Sequence, residues 1–238
     1  MDGFETIEDL ESRILYLDDH LLVVNKPSGL LIHRGWGRDR ITLVDLVREM
    51  FDGDPPHPVQ RLDRGTSGVI VLARSAEVTR RLNESMAAGE MTKQYLALVR
   101  GKSPNQGVID HPIPRRPEGP RVPAVTHFET LHTAEAEPRH LSWVRASLEH
   151  GRLHQVRRHL KHINHPIIGD SKYGRGALNR AVAERYGMRR MGLHAEVVVL
   201  PDPHTGKRRR FEAPLPDDLA LPLARIGIPE KLLSPRRN

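Results

Sequence analysis

The chain of 238 residues is long enough for one substantial core or two small ones, and 38% hydrophobic with 28% charged residues is the balance of a folded globular protein. Cysteine is absent, which excludes disulfides and thiolate metal sites; no apolar run approaches the roughly 20 residues that cross a bilayer, and the acidic start "MDGFETIEDLESR" lacks the apolar core of a signal peptide. The expectation is a soluble, cytoplasmic protein without a membrane association, whose formal charge of +7 and excess of arginine over lysine favour a polyanionic partner, although the same charge also serves solubility.

In chain order, residues 1–12 read as a flexible lead-in. "ILYLDDHLLVVNKPSG" (Ile14–Gly29) predicts two short strands joined at Asp18-Asp19 and closed by a Lys-Pro-Ser-Gly turn. "TLVDLVREMF" places Leu43, Leu46, Val47 and Met50 at helical spacing with Thr42 as N-cap, and "GDPPHP" breaks the chain after it. "GVIVLA" (Gly68–Ala73) predicts a strand covered on both faces. Ser75 caps a helix whose stripe is Val78, Leu82 and Met86 and whose end is Gly89. "KQYLALVRG" predicts a strand on which Tyr95, Ala97 and Val99 share a face.

Residues 102–123, rich in Pro, Gly and Arg, read as a loop or the seam between two halves. "AVTHFETLHT" and "LSWVRASLE" alternate as antiparallel strands do. "GRLHQVRRHLKHI", opened by Gly151, has a helical face of Leu153, Val156, Leu160 and Ile163. "HAEVVVL", "PDPHTG" and "KRRRFEA" predict a hairpin, and "PDDLALPLARIG" a short helix. Hairpins with interspersed helices, without strict βαβ alternation, give an α+β class with a mixed, largely antiparallel sheet.

Among candidate sites, "VQRLDRGTSGVIVLARS" (Val59–Ser75) sets Asp63 between Arg61 and Arg64. In extended backbone Arg61 and Asp63 project together while Leu62 packs inward, and flanking positive charge keeps the carboxylate ionised, suited to a nucleophile or electrostatic stabiliser rather than a general acid. Taken alone, these residues fit better an Asp that folds its own turn and pairs with an arginine. His154, His159, His162 and His165 crowd one segment, but their i+5 and i+3 spacings, without a carboxylate and beside three cations, do not fit a zinc helix, and no metal is expected. Asp170 in "GDSKYG" is the best second carboxylate and reads first as a turn residue. Walker and GxGxxG patterns are absent, so no nucleotide cofactor is expected. Cationic segments at 33–40, 113–121, 151–162 and 207–210 suit a folded RNA surface if they meet on one face.

"RLDRGTSGVIVLA" resembles the central motif of the RluA-type pseudouridine synthases, which isomerise uridine in structured RNA. The resemblance extends through "VVNKPSGLLIH", "KQYLALVRG", "GRLHQVRRHLKHINHPIIGDSKYG" and "LHAEVVVLPDPHTGKRRRFEAPLP", in the family's order, from about residue 14 to 219. It implies one catalytic domain over residues 13–228 with a tail at 229–238, no S4-type module, a cleft across the sheet, and a reaction that needs no cofactor. It also implies Asp63 as the catalytic carboxylate, Tyr95 against the uracil ring, Arg157 as the arginine that pairs with the aspartate, with Arg158 as its rival, and Arg61 entering the vacated base position. Lys93 and Leu193 follow as pocket residues. "IHRGWGRDRITLVDLV", "PAVTHFETLHT", "RRHLKHINHPIIGDSKYG" and Asn179-Arg180 are most similar to the branch that acts on uridine 65 of transfer RNA. Ribosomal RNA is the alternative substrate, a non-catalytic RNA-binding protein the alternative of another class, and no obligate protein partner is implied. Gln60 stands where the family usually has His.

Overall fold

A computed structural model describes residues 10–34, 41–51, 56–115, 119–149 and 151–234. Most of the lead-in, residues 35–40 of the 33–40 cationic segment, residues 52–55 of the "GDPPHP" break, 116–118, 150, and the last four residues of the tail lie outside the described residues.

Strands β1 (Ile14–Leu17) and β2 (Leu21–Lys26) precede helix α1 (Leu43–Met50), strands β3 (His57–Pro58) and β4 (Ser67–Ala73), helix α2 (Ala76–Ala87) and strand β5 (Thr92–Arg100). Strands β6 (Gln106–Asp110), β7 (Ile113–Pro114), β8 (Arg121–Val122), β9 (Val125–Ala134) and β10 (Leu141–Leu148) follow. Helices α3 (Gln155–His162) and α4 (Gly176–Tyr186), strands β11 (Leu193–Pro201) and β12 (Arg208–Glu212), helix α5 (Asp217–Ile226) and a 3-10 turn at Glu230–Leu232 complete the chain. The class is α+β, and the pairs β1–β2, β2–β4, β3–β4, β5–β10, β9–β10, β6–β9, β7–β8 and β11–β12 are antiparallel. None of the helices among the described residues is long and apolar enough to cross a membrane.

The chain divides into two compact units, one of Met1–Thr92 with Ala195–Ala213, the other of Lys93–His194 with Pro214–Asn238. In the first unit the strands neighbour one another in the order β1, β2, β4, β11, β12, with β3 also on β4. Every residue of β2 and β4 is buried, as the unbroken apolar run of β4 requires, and they pair from Leu21–Ala73 to Lys26–Gly68. The Asp18 carboxylate folds the β1–β2 turn by accepting the amides of His20 and Leu21 at 2.8 and 2.7 Å. Burial opposes its ionisation, but these bonds and the Tyr16 hydroxyl outweigh that and hold its pKa at about 2. Helix α1 opens with a capping box between Thr42 and Asp45, and α2 with the Ser75 hydroxyl accepting the Val78 amide at 3.2 Å.

In the second unit the order is β5, β10, β9, β6. Trp143 on β10 is fully buried among Leu96, Leu98, Ile168, Val182, Leu219 and Leu223, which brings β5, α4 and α5 onto one core. A register shift between Trp143 and Val144 fits Leu131 of β9 in as an extra residue.

Three expectations are corrected. Residues 102–123 are not the seam: the chain passes from one unit to the other at Thr92–Lys93, His194–Ala195 and Ala213–Pro214, and this stretch contains β6 and the β7–β8 hairpin. Strand β6 buries only Ile109 among its five residues, too little alternation to stand out from a Pro- and Gly-rich setting. Helix α3 begins at Gln155 rather than after Gly151, because His154 adopts a left-handed conformation (φ 52°) and Gln155 Oε1 accepts the Arg152 amide at 3.0 Å. Helix α4 has no counterpart in the sequence reading because it fully buries only Val182 and so shows no apolar stripe.

Gly68 governs the geometry behind Asp63. It has φ +114°, and a Cβ there would lie 2.1 Å from the carbonyl oxygen of Ala195 on β11. Gly68→Ala is expected to lower the unfolding free energy by at least about 3 kcal/mol, or to prevent soluble expression, as measured by urea denaturation. A change under about 1 kcal/mol would show that β4 and β11 are not held this closely.

Candidate active site

In the first unit, the segment from Val59 to Thr66 leaves β3 and enters β4. Val59, Gln60 and Leu62 are buried, Arg61 is exposed and Asp63 is half-buried, so Arg61 and Asp63 do face away from the core that holds Leu62. The turn closes where the Thr66 amide donates to the Asp63 carbonyl at 3.0 Å. Gln60 Nε2 donates to the Val69 carbonyl at 3.1 Å, which ties the segment to β4, while its Oε1 is buried without a hydrogen-bond partner among the described residues.

The anchor of this turn is a residue absent from the expected site. Lys26, at the end of β2, is fully buried, and its ammonium donates to the carbonyls of Pro27, Leu30 and Arg64 at 2.8, 2.9 and 3.3 Å. The Ser28 hydroxyl donates to the Gly65 carbonyl at 2.8 Å. The Gly29 amide donates to the Arg64 carbonyl at 2.8 Å, and Arg64 Nε returns a bond to the Gly29 carbonyl at 3.0 Å. The bonds from Lys26, Ser28 and Gly29 to the Arg64 and Gly65 carbonyls end on backbone of the turn, so they fix its path whatever the Asp63 side chain does. A lysine closing an apolar strand just before Pro-Ser-Gly is the sequence signal for such an anchor. Around the exposed Arg61 the field is positive: burial first, then Arg61 and His57, push the pKa of His33 below its ordinary value.

In the second unit, Lys93 and Tyr95 lie two apart on β5 and share a face, opposite Leu148 and Ala146 of β10. Both are buried, as is Leu193 at the start of β11. Burial pushes the pKa of Lys93 down, and a Cβ on Gly151 would lie 3.1 Å from its Nζ. Arg157 is buried on α3, where its Nε and Nη2 donate to the two oxygens of Asp170 at 2.7 and 2.9 Å. Asp170 is the turn residue its context suggested, accepting the amides of Lys172 and Tyr173 at 2.9 Å each, and it is also the two-point partner of Arg157. Burial of this carboxyl raises its pKa, but Arg157 and the turn amides outweigh that and leave it below the ordinary carboxylate range.

The six expected residues thus fall into two groups, Arg61 and Asp63 on one turn of the first unit, and Lys93, Tyr95, Arg157 and Leu193 in the second. Of the four histidines of the α3 segment three serve hydrogen bonds, and His162 stacks on His111 with ring centroids 3.8 Å apart. His159 meets Thr126 Oγ1 at 2.8 Å and the His111 carbonyl at 2.9 Å, His165 donates to the Arg100 carbonyl at 2.8 Å, and His154 meets the Tyr173 hydroxyl at 3.0 Å. No cluster of three or more His, Asp or Glu fit to hold a metal occurs among the described residues.

Asp170→Ala leaves a buried guanidinium without its carboxylate and is expected to cost about 3–5 kcal/mol of stability by urea denaturation. Asp170→Asn, which keeps an acceptor oxygen and the turn, is expected to cost less. Equal losses in the two variants would mean that the turn, and not the ion pair, is what Asp170 supports.

Residues 20–162 match the family model described as RNA pseudouridylate synthase. The chain is 38% identical over 234 residues to "tRNA pseudouridine synthase C" of Salmonella typhimurium, covering 90% of this chain and 89% of the relative. It is 37% identical to the protein of the same name in Pectobacterium carotovorum subsp. carotovorum, covering 84% of this chain, and spans 59% of that relative's length. It is also 38% identical to "Ribosomal large subunit pseudouridine synthase D" of Xanthomonas campestris pv. campestris, covering 89% of this chain and 68% of the relative. Among solved structures, "Human RNA Pseudouridylate Synthase Domain Containing 4" superposes with a TM-score of 0.76 at 25% identity, covering 92% of this chain and 95% of the other. The half-buried aspartate on its anchored turn lies inside the matched segment, and the chain belongs to the RNA pseudouridylate synthase family, a family of isomerases.

Proposed function

We propose that this chain is a cytoplasmic enzyme that isomerises uridine to pseudouridine in transfer RNA, at position 65, with Asp63 as its catalytic carboxylate and no external cofactor. The observation that carries the reading is the setting of Asp63: a half-buried carboxylate between two arginines, on a turn held by backbone-directed bonds from Lys26, Ser28 and Gly29. Transfer RNA is supported by the segments at 32–47, 123–133 and 157–174 and by the relatives named for it at 37% and 38% identity. Ribosomal RNA is the second reading, favoured by the Xanthomonas relative named for the ribosomal large subunit, at 38% identity.

The reaction breaks the bond between C1′ and N1, turns the uracil, and joins C5 to C1′, losing the C5 proton and protonating N1, so its atoms balance without an added reactant. The target base leaves its stack at a cost of a few kcal/mol, supplied by contacts to the RNA backbone and to the flipped base. Asp63 meets the sugar as an anion, where a fixed negative charge stabilises the positive character that develops at C1′. Tyr95 lies against the uracil ring, and Arg157 orients the carboxylate. Arg61, exposed beside Asp63, enters the position that the base vacates, and Lys93 and Leu193 line the base pocket. The two-point bond to Asp170 supports the Arg157 role, because it fixes the plane of the guanidinium independently of substrate.

The test is tritium release from C5-labelled uridine in bulk transfer RNA. Wild type is expected to release tritium with a single new pseudouridine at position 65, and Asp63→Asn to lose turnover by at least about 10⁴-fold while keeping RNA affinity within about tenfold. Turnover in Asp63→Asn, or tight RNA binding by wild type with no release from any RNA, would refute the assignment. Release from ribosomal RNA alone would move the substrate to the second reading.

A further inference from the structure

In the second unit the ring of Tyr173 is surrounded by cations. The charged ends of Arg157, Arg158, Lys161 and Lys172 lie 5.0, 5.5, 5.8 and 5.8 Å from its centroid. Asp170 accounts for Arg157. The other three form no ion pair with an acidic side chain among the described residues, and Arg158 Nε is buried without a hydrogen-bond partner there. Arg158 and Lys161 are i and i+3 on α3 and so share a face, while Lys172 and Tyr173 are held by the turn whose amides Asp170 accepts. Lys161 and Lys172 are exposed.

Like charges placed together repel, and attraction to one ring, about 0.5–1 kcal/mol per exposed cation, offsets only part of that. An anion bound among these charges removes the repulsion. We propose that Arg158, Lys161 and Lys172, arrayed around Tyr173, bind phosphodiesters of the substrate backbone and so anchor RNA on the second unit. This rests on the reading that RNA is the substrate and adds to it a contact site outside Arg61, Asp63, Lys93, Tyr95, Arg157 and Leu193. Carrying only phosphate-facing cations, the site contributes affinity and register without base identity.

The experiment uses the full chain and a transfer RNA transcript, with affinity measured across a range of KCl concentrations and turnover measured by tritium release. Because both lysines are exposed, the double variant Lys161→Gln/Lys172→Gln is expected to fold with an unchanged Tm. Its plot of log Kd against log salt should flatten by about 1.4–1.8, the counterions of two phosphate contacts, with KM raised about tenfold and kcat within about twofold of wild type. The Lys161→Arg/Lys172→Arg pair should restore the slope. An unchanged slope, or a raised KM accompanied by a lower Tm at constant slope, overturns the site even if wild type is fully active. A flattened slope in a protein that releases no tritium from any RNA upholds the site and overturns the isomerase reading instead.

Discussion

The buried ammonium of Lys26 is the constraint on which the Asp63 turn depends. A cation withdrawn from water costs several kcal/mol, and it is tolerated here because three carbonyl oxygens converge on it. Those carbonyls belong to two different stretches of chain, residues 27–30 and Arg64, so satisfying one side chain brings the two turns together. The pairing of β2 with β4 runs out at Lys26–Gly68, which places the anchor at the point where both strands leave the sheet. Asp63 is therefore the residue next to a pinned backbone, presented where a strand pair closes. The close approach of Gly68 to Ala195 completes this arrangement from below, since no larger residue would let β4 take that path.

The second unit treats its charged residues differently. Arg157 is neutralised by Asp170 and held flat by two hydrogen bonds, and the same Asp170 folds the turn that carries Lys172 and Tyr173. One carboxylate thus positions an arginine and a cationic turn, while balancing the charge of only the arginine. The remainder is a local surplus of positive charge around Tyr173.

The histidines show why residue type alone misleads. His159 is fully buried with one ring nitrogen toward a carbonyl, which must accept, so that nitrogen carries the proton and the other accepts from Thr126. Burial pushes its pKa below the ordinary value, against the pull of the His111 carbonyl and with the help of the neighbouring His111 and His162. In a run of imidazoles that resembles a ligand set, His154, His159 and His165 satisfy carbonyls and hydroxyls near α3, and His162 stacks on His111.

Periodicity and turn chemistry in the sequence determined the elements whose stability is local or whose faces are wholly apolar: the β1–β2 hairpin, α1 with its Thr42 cap, α2 with its Ser75 cap, β4, β5, and the hairpin of β11 and β12. The ordered motifs around Asp63, Lys93, Tyr95 and Arg157 determined the family. Only the tertiary structure decided that Lys26 anchors the turn, that Asp170 is the partner of Arg157, that residues 106–110 add an edge strand, and that α4 forms over a single buried valine. Each of these depends on a partner distant in sequence, 38 residues for Lys26 with Arg64 and 13 for Arg157 with Asp170, and no local pattern of residues encodes which distant group a buried charge will meet.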